Sequence, residues 1–205
     1  MVQTATMVYA LIIHTLVPGP CRLLYSSVFV HEPEINEEVT GDERATRKEH
    51  LLEVAQRVQS EYSFRYVASE DDSAEDLTGL SSTNELMSNL KSGVFRLSPG
   101  NPFKEEKVVL WKGLANAGFT LVCEKDENRL IAENVLDHVI RHLQEYCQII
   151  LQPSEASWWD AILKVDRVVT IIHQFLPNGQ LLFMNTRYLR QMEKELEQVM
   201  SFKRE

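Results

Sequence analysis

Two histidines on a predicted helix are the most suggestive candidates for metal chemistry. His138 and His142 are four residues apart and Glu145 follows three residues later, a spacing that can place three ligands on one helical face. The zinc-protease motif requires glutamate directly after the first histidine, where this chain has Val139. Projected at 100° per residue, the three polar side chains lie opposite the apolar arc, so we expect a solvated helix face.

Motifs for nucleophilic and phosphate chemistry are absent from the sequence. It contains no Gly-x-Ser-x-Gly elbow, no Walker loop and no Gly-x-Gly-x-x-Gly turn. Asp71 and Asp72 lie in a stretch too polar to hold catalytic geometry. Cys147 falls on the apolar arc of its helix, and His14 and His173 border apolar segments, so all three are expected in the core or at its edge. We therefore expect no catalytic residue, no metal and no cofactor, hence no enzyme.

The composition excludes further classes of protein. The chain has 205 residues and a net charge of -9, which argues against direct nucleic-acid contact and against a basic membrane-binding patch. Its three cysteines, Cys21, Cys123 and Cys147, are far apart and favour a reducing compartment. The apolar run at residues 7–16 lacks preceding basic residues and is too short to span a bilayer. We expect a protein that is neither secreted nor integral to a membrane.

The first half of the chain alternates strand and helix signals. Residues 7–14 and 21–30 are rich in β-branched and aromatic side chains and flank a Pro-Gly-Pro turn, which predicts an antiparallel hairpin. Residues 32–43 form a predicted linker. Residues 44–62 are predicted as a helix whose buried face carries Leu51, Ala55, Val58 and Tyr62.

An acidic stretch interrupts this pattern at residues 68–92. It is poor in large apolar side chains, so we expect a mobile loop. Ser69 and Ser73 each precede an aspartate by three residues, which makes them candidate phosphorylation sites; the alternative is an unmodified solvated linker.

The second half predicts strands at residues 93–97, 107–113 and 117–123, followed by three helices. These cover residues 130–151, residues 158–176 and a terminal segment whose apolar side chains are Leu189, Met192, Leu196 and Val199. The order ββαβββααα predicts an α+β fold with a five-stranded antiparallel sheet flanked by helices. We expect one domain over residues 1–205, with residues 1–6 as a loose leader.

The predicted helix at residues 158–176 is apolar beyond a single stripe. Its main stripe is Trp158, Ile162, Val165, Val169, Ile172 and Leu176. Trp159, Leu163 and Ile171 lie off that stripe, so we expect the helix to be buried on two sides. A partner surface formed by Trp158, Trp159, Leu163 and Ile171 is one explanation. Burial between the sheet and a neighbouring helix is the other.

Two blocks of sequence resemble the small sigma subunits of adaptor protein complexes, which have a longin-like fold. The first is the aromatic-basic strand, turn and hydrophobic strand at residues 108–124, with the acidic turn at 127–130. The second is Val165-Asp-Arg-Val168 with Gly179 and Asn185. Residues 7–16, 95–97, 101–103 and 175–183 further resemble the sigma subunits of adaptor protein complex 5.

This resemblance implies a non-enzymatic subunit that stabilises the core of a heterotetramer with large zeta and beta chains and a medium mu chain. It also implies spatacsin and spastizin as associated partners, and sorting at late endosomes and lysosomes with retrieval toward the Golgi. The location would be cytoplasmic and peripheral on these membranes through the complex. The family's association with double-strand-break repair adds the expectation of a nuclear pool. The alternative is a longin-type regulatory or tethering subunit of another trafficking complex.

The resemblance also implies a site for acidic dileucine sorting signals. The matching positions are Ala115, Ala117, Ile140 and Ile150. Gly113 and Gly118 replace larger residues around the turn, which could open or abolish that pocket.

Overall fold

A single antiparallel sheet organises the described part of the chain. The computed structural model describes residues 7–29, 41–68, 83–114, 116–148 and 165–202. The strands are β1 (Val8–Thr15), β2 (Leu23–Val28), β3 (Lys91–Leu97), β4 (Lys107–Leu114) and β5 (Ala117–Glu124). The helices are α1 (Gly41–Ala68), α2 (Thr83–Ser88), α3 (Arg129–Cys147), α4 (Val165–Phe175) and α5 (Thr186–Phe202). The strand order β2-β1-β5-β4-β3 confirms the predicted longin-like α+β arrangement.

Strand β1 is an interior strand of the sheet, and all eight of its residues are buried. It pairs antiparallel with β2, as predicted for a hairpin, and with β5 on its other side. Leu11 and Ile13 point to the core shared with α3, whereas Ile12 points to the core shared with α1. The apolar run is continuous because helices cover both faces of the strand.

Helix α1 covers one face of the sheet. Its predicted apolar face is confirmed, since Leu51, Ala55, Val58 and Tyr62 are all buried. The Tyr62 ring meets the Trp111 ring of β4 edge-on at 6.2 Å. A Cβ atom at Gly93 of β3 would lie 2.5 Å from this indole, so glycine is needed for the close approach.

Helices α3, α4 and α5 cover the opposite face. Asn128 caps α3 by accepting hydrogen bonds from the amides of Leu130 and Ile131. The helix ends at Cys147, because Gln148 adopts a left-handed conformation with φ of 55°. The predicted end near residue 151 is therefore too late. None of the helices within the described residues is long and apolar enough to cross a membrane.

The acidic stretch contains more regular structure than its composition predicts. Helix α1 begins before the predicted residue 44 and extends to Ala68, α2 forms at residues 83–88, and β3 begins at Lys91. Thus the predicted loop is wrong at both ends, while residues 69–82 lie outside the described part. A single buried side chain, Leu86, anchors the short helix α2 against α3, and one buried apolar position gives no periodicity to detect.

The buried stripes of the last two helices differ from the predicted ones. In α4 the buried residues are Val168, Ile171, Ile172 and Phe175, whereas Val165 and Val169 are 42% and 44% exposed. In α5, Met200 is buried in place of Val199. Both helices pack on other helices as well as on the core, so the buried arc is rotated from the one that apolar side chains alone suggest.

The end of α4 was predicted to within one residue. Leu176 follows the helix, and Pro177–Gly179 forms a single 3-10 turn. Gly179 has φ of +78°, the left-handed conformation expected at a helix end. A Cβ atom there would lie 2.5 Å from Cβ of Phe29, so the glycine also lets this turn approach the end of β2. Residues 180–185 then run to α5 without regular secondary structure.

Candidate functional site

The histidines of α3 form part of a packing contact between helices. His142 is only 4% exposed, and its ring lies 4.5 Å from the Phe175 ring of α4. Its Nδ1 atom donates a hydrogen bond to the carbonyl of His138 at 2.7 Å. The prediction of a solvated face is therefore wrong for these two residues, although Glu145 is exposed. The prediction from amphipathicity failed because α3 is covered by the sheet on one side and by α4 on the other.

The two histidines do not form a metal site with other described residues. In residues 7–29, 41–68, 83–114, 116–148 and 165–202, no group of three or more His, Cys, Asp or Glu residues could hold a metal ion. Burial is the main cause that lowers the pKa of His138, followed by the neighbouring charges of His142 and Arg141. Both effects favour a neutral imidazole, which suits packing against Phe175.

A cysteine and a histidine meet at the other end of β1. Cys21 Sγ lies 3.8 Å from His14 Nδ1, and His14 Nε2 is 3.1 Å from the hydroxyl of Thr120. Such a pair could form a thiolate nucleophile only if charge were favoured there. Burial instead lowers the pKa of His14 to about 4 and raises the pKa of Cys21. Both groups are therefore neutral and structural.

Lys112, one of the two lysines of strand β4, is already paired within the chain. Lys112 Nζ lies 2.6 Å from Asp137 and 3.2 Å from Glu133, both on α3. These two carboxylates surround the ammonium group and fix α3 against the sheet. A ligand carboxylate at this position would have to compete with both.

Neighbouring side chains occupy the space beside the two glycines at the β4–β5 turn. Gly113 and Gly118 lie opposite each other in the β4–β5 ladder. A Cβ atom at Gly113 would lie 2.5 Å from Leu16 Cδ1, and one at Gly118 would lie 2.5 Å from His14 Cε1. The sequence left open whether these glycines open or abolish a pocket. They do not open one, because Leu16 and His14 occupy the space.

A surface groove of about 330 Å³ lies between β2 and α4. We call it the β2–α4 groove, and it is lined mainly by Tyr25, Phe29, Val169, Ile172, His173 and Leu176. His173 is exposed there, at the edge of the fold. The lining contains aromatic, aliphatic and polar side chains but neither a carboxylate nor an ammonium group. Such a surface suits an apolar partner group.

The amino-acid sequence matches known proteins along most of its length. The family described as AP-5 complex subunit sigma-1 matches residues 7–197. The chain belongs to this family. It is 37% identical over 199 residues to AP-5 complex subunit sigma-1 of Homo sapiens, covering 92% of this chain and 96% of that protein. It is 34% identical over 153 residues to the Mus musculus protein of the same name, covering 70% and 90%.

The AP-5 sigma-1 match confirms the family resemblance carried by the two sequence blocks. Subunits of adaptor complexes are in general not enzymes, which agrees with the neutral state of the His14–Cys21 pair. The proposed dileucine positions are only partly described. Ala117 of β5 and Ile140 of α3 are both buried in the core between the sheet and α3, while Ala115 and Ile150 lie outside the described residues.

The predicted partner surface is likewise only partly described. Ile171 is 0% exposed and belongs to this chain's own core, so we remove it from the partner surface. Trp158, Trp159 and Leu163 lie outside the described residues and stay predictions. The same holds for the candidate phosphorylation sites Ser69 and Ser73.

Two features of the site were not predicted from the sequence. The His14–Cys21 contact depends on the hairpin register of β1 and β2, although a histidine and a cysteine seven residues apart across a Pro-Gly-Pro turn were a detectable signal. The β2–α4 groove joins residues about 140 positions apart. No local periodicity could have indicated it.

Proposed function

We propose that this chain is the sigma subunit of a heterotetrameric adaptor complex and that it stabilises the core of that complex. The observation that carries the proposal is the family match over residues 7–197 on a longin-like fold. Its companions are then large zeta and beta chains and a medium mu chain. Spatacsin and spastizin associate with the assembled complex. The chain serves vesicle-mediated protein transport at late endosomes and lysosomes, with retrieval toward the Golgi and a nuclear pool, and reaches membranes through its partners.

Affinity purification of the tagged full chain followed by mass spectrometry tests this proposal. We expect the zeta, beta and mu chains of the AP-5 complex in amounts comparable to the bait. Recovery of a different trafficking complex in their place would support the alternative of a longin-type regulatory or tethering subunit. Recovery of neither would contradict a role as a complex subunit.

The partner surface has a sharper test at Trp159. We expect Trp159→Asp to weaken co-purification with the zeta chain, since a buried charge at an aromatic anchor is costly. Ser154→Asp, in the same segment, is the control for adding a charge. Equal recovery of the zeta chain with both variants would contradict the assignment of Trp159 to the interface.

A contribution to sorting-signal binding is a second part of the proposal. The site would use Ala115, Ala117, Ile140 and Ile150. Because Ala117 and Ile140 are buried and Lys112 is paired, signal binding would require movement of α3 or of the β4–β5 turn. Titration of the assembled complex with an acidic dileucine peptide tests it, and binding that does not saturate would contradict it.

A further inference from the structure

The two edge strands of the sheet are protected to different degrees. Strand β3 carries Lys91 and Arg96, and its Ser92 carbonyl accepts a 2.6 Å hydrogen bond from the Arg65 guanidinium. Charged side chains and occupied carbonyls prevent a further strand from pairing. Strand β2 has the sequence Leu-Leu-Tyr-Ser-Ser-Val, with neither charge nor proline. Among the described residues, no strand pairs with its outer edge.

The backbone of β2 directs alternate groups toward that outer edge. The Phe29 amide donates to the Tyr9 carbonyl of β1 at 2.9 Å. Because bonded and non-bonded pairs alternate along an antiparallel ladder, Ser27 forms the next bonded pair with β1. Ser26 and Val28 therefore direct their N–H and C=O groups away from β1. These groups can pair with an extended backbone.

The β2–α4 groove lies directly beside this edge. Tyr25 and Phe29 point to it from one side, and Val169 and Ile172 of α4 line the other. An added strand places alternate side chains on this face of the sheet. One of them would enter the groove, whose lining carries neither a carboxylate nor an ammonium group. Backbone pairing and a side-chain pocket together are the two components of peptide recognition by strand addition.

We propose that the outer edge of β2 binds an extended segment of a different polypeptide, with one apolar side chain of that segment in the β2–α4 groove. The charge of the chain decides between partners. Two copies would each carry a net charge of -9 and repel one another, whereas a neutral or basic segment would not be repelled. The inference rests on the proposed function, because we assign this segment to a companion subunit of the AP-5 complex.

Residue-resolved hydrogen exchange tests the backbone pairing directly. The unmodified full chain is measured alone and after co-expression with the AP-5 zeta, beta and mu chains. We expect the amides of Ser26 and Val28 to exchange at least about tenfold more slowly in the complex. The amides of Ser27 and Phe29, already bonded to β1, serve as internal references for a general change in stability.

Two matched variants of α4 test the groove. Val169 lines the groove and is 44% exposed, while Val165 lies one turn earlier, is 42% exposed and is not part of the lining. We expect Val169→Asp to reduce recovery of the companion subunits at least about tenfold and Val165→Asp to behave as wild type. Both side chains are half-exposed, so both variants should keep the melting temperature of the isolated chain.

Each other result overturns the inference. Slow exchange of Ser26 and Val28 in the isolated chain at all concentrations would mean that this chain covers its own edge. Slow exchange that grows with concentration would mean that a second copy binds there. If the complex assembles, the exchange of Ser26 and Val28 is unchanged in it, and the Val169→Asp variant also assembles, then strand addition is wrong and the proposed function stands. If the wild-type chain does not assemble, both are wrong.

Discussion

At the scale of single residues, His14 shows how burial sets chemistry in this protein. The imidazole is buried between β1, β5 and Cys21, and its hydrogen bonds go to neutral groups, Thr15 and Thr120. Desolvation outweighs the backbone hydrogen bond, so the pKa falls from 6.5 to about 4. A histidine in this state contributes packing rather than charge.

The lowered pKa of His14 predicts a pH dependence of stability. The unfolded chain takes up the proton near pH 6.5 and the folded chain only near pH 4, so the folded state loses stability as the pH falls through this window. The loss approaches roughly 3 kcal/mol below pH 4. Urea titrations between pH 7 and 4 should show a smaller pH dependence in His14→Gln. Parallel curves for the two proteins would contradict the assignment.

The close contact between Gly118 and His14 predicts a second effect. Gly118→Ala places a Cβ atom 2.5 Å from the imidazole, and overpacking of this kind destabilises a core by about 1–3 kcal/mol. His14→Ala removes the obstacle while leaving a cavity. We expect the double variant to be more stable than the sum of the two single losses predicts. Thermal unfolding measures all four proteins, and strictly additive losses would argue against this contact.

At the scale of elements, the sheet could be predicted from the sequence more completely than the helices. Strands β1, β4 and β5 are long, apolar and bounded by turn residues, so composition and spacing identify them. The register of α4 could not be predicted, because Val165 and Val168 are chemically equivalent and only the position of α3 decides which is buried. His142 was misplaced for the same reason, since its burial depends on Phe175 of another helix.

The register of α4 gives a matched stability test. Val168 is 3% exposed and Val165 is 42% exposed on the same helix. We expect Val168→Ala to lower the free energy of unfolding by about 2 kcal/mol, from lost burial and a small cavity. Val165→Ala should change it by less than about 0.5 kcal/mol. A larger loss for Val165→Ala than for Val168→Ala in denaturant titrations would favour the stripe predicted from the sequence over the observed one.

At the scale of the whole molecule, the sheet has a helix layer on each face and two unlike edges. The core residues are divided between the α1 face and the face shared by α3, α4 and α5. Family membership could be anticipated from sequence blocks at both ends of the chain. The β2 edge and its groove could not, because they arise only when β2 and α4 meet.

The most direct test of the sigma-subunit account is the composition of the assembled complex. The full chain is co-expressed with the AP-5 zeta, beta and mu chains, and the purified product is examined by native mass spectrometry. A sigma subunit predicts a stable species that contains one copy of each of the four chains. A three-chain complex that forms without this chain, with the chain itself recovered alone, would contradict the account.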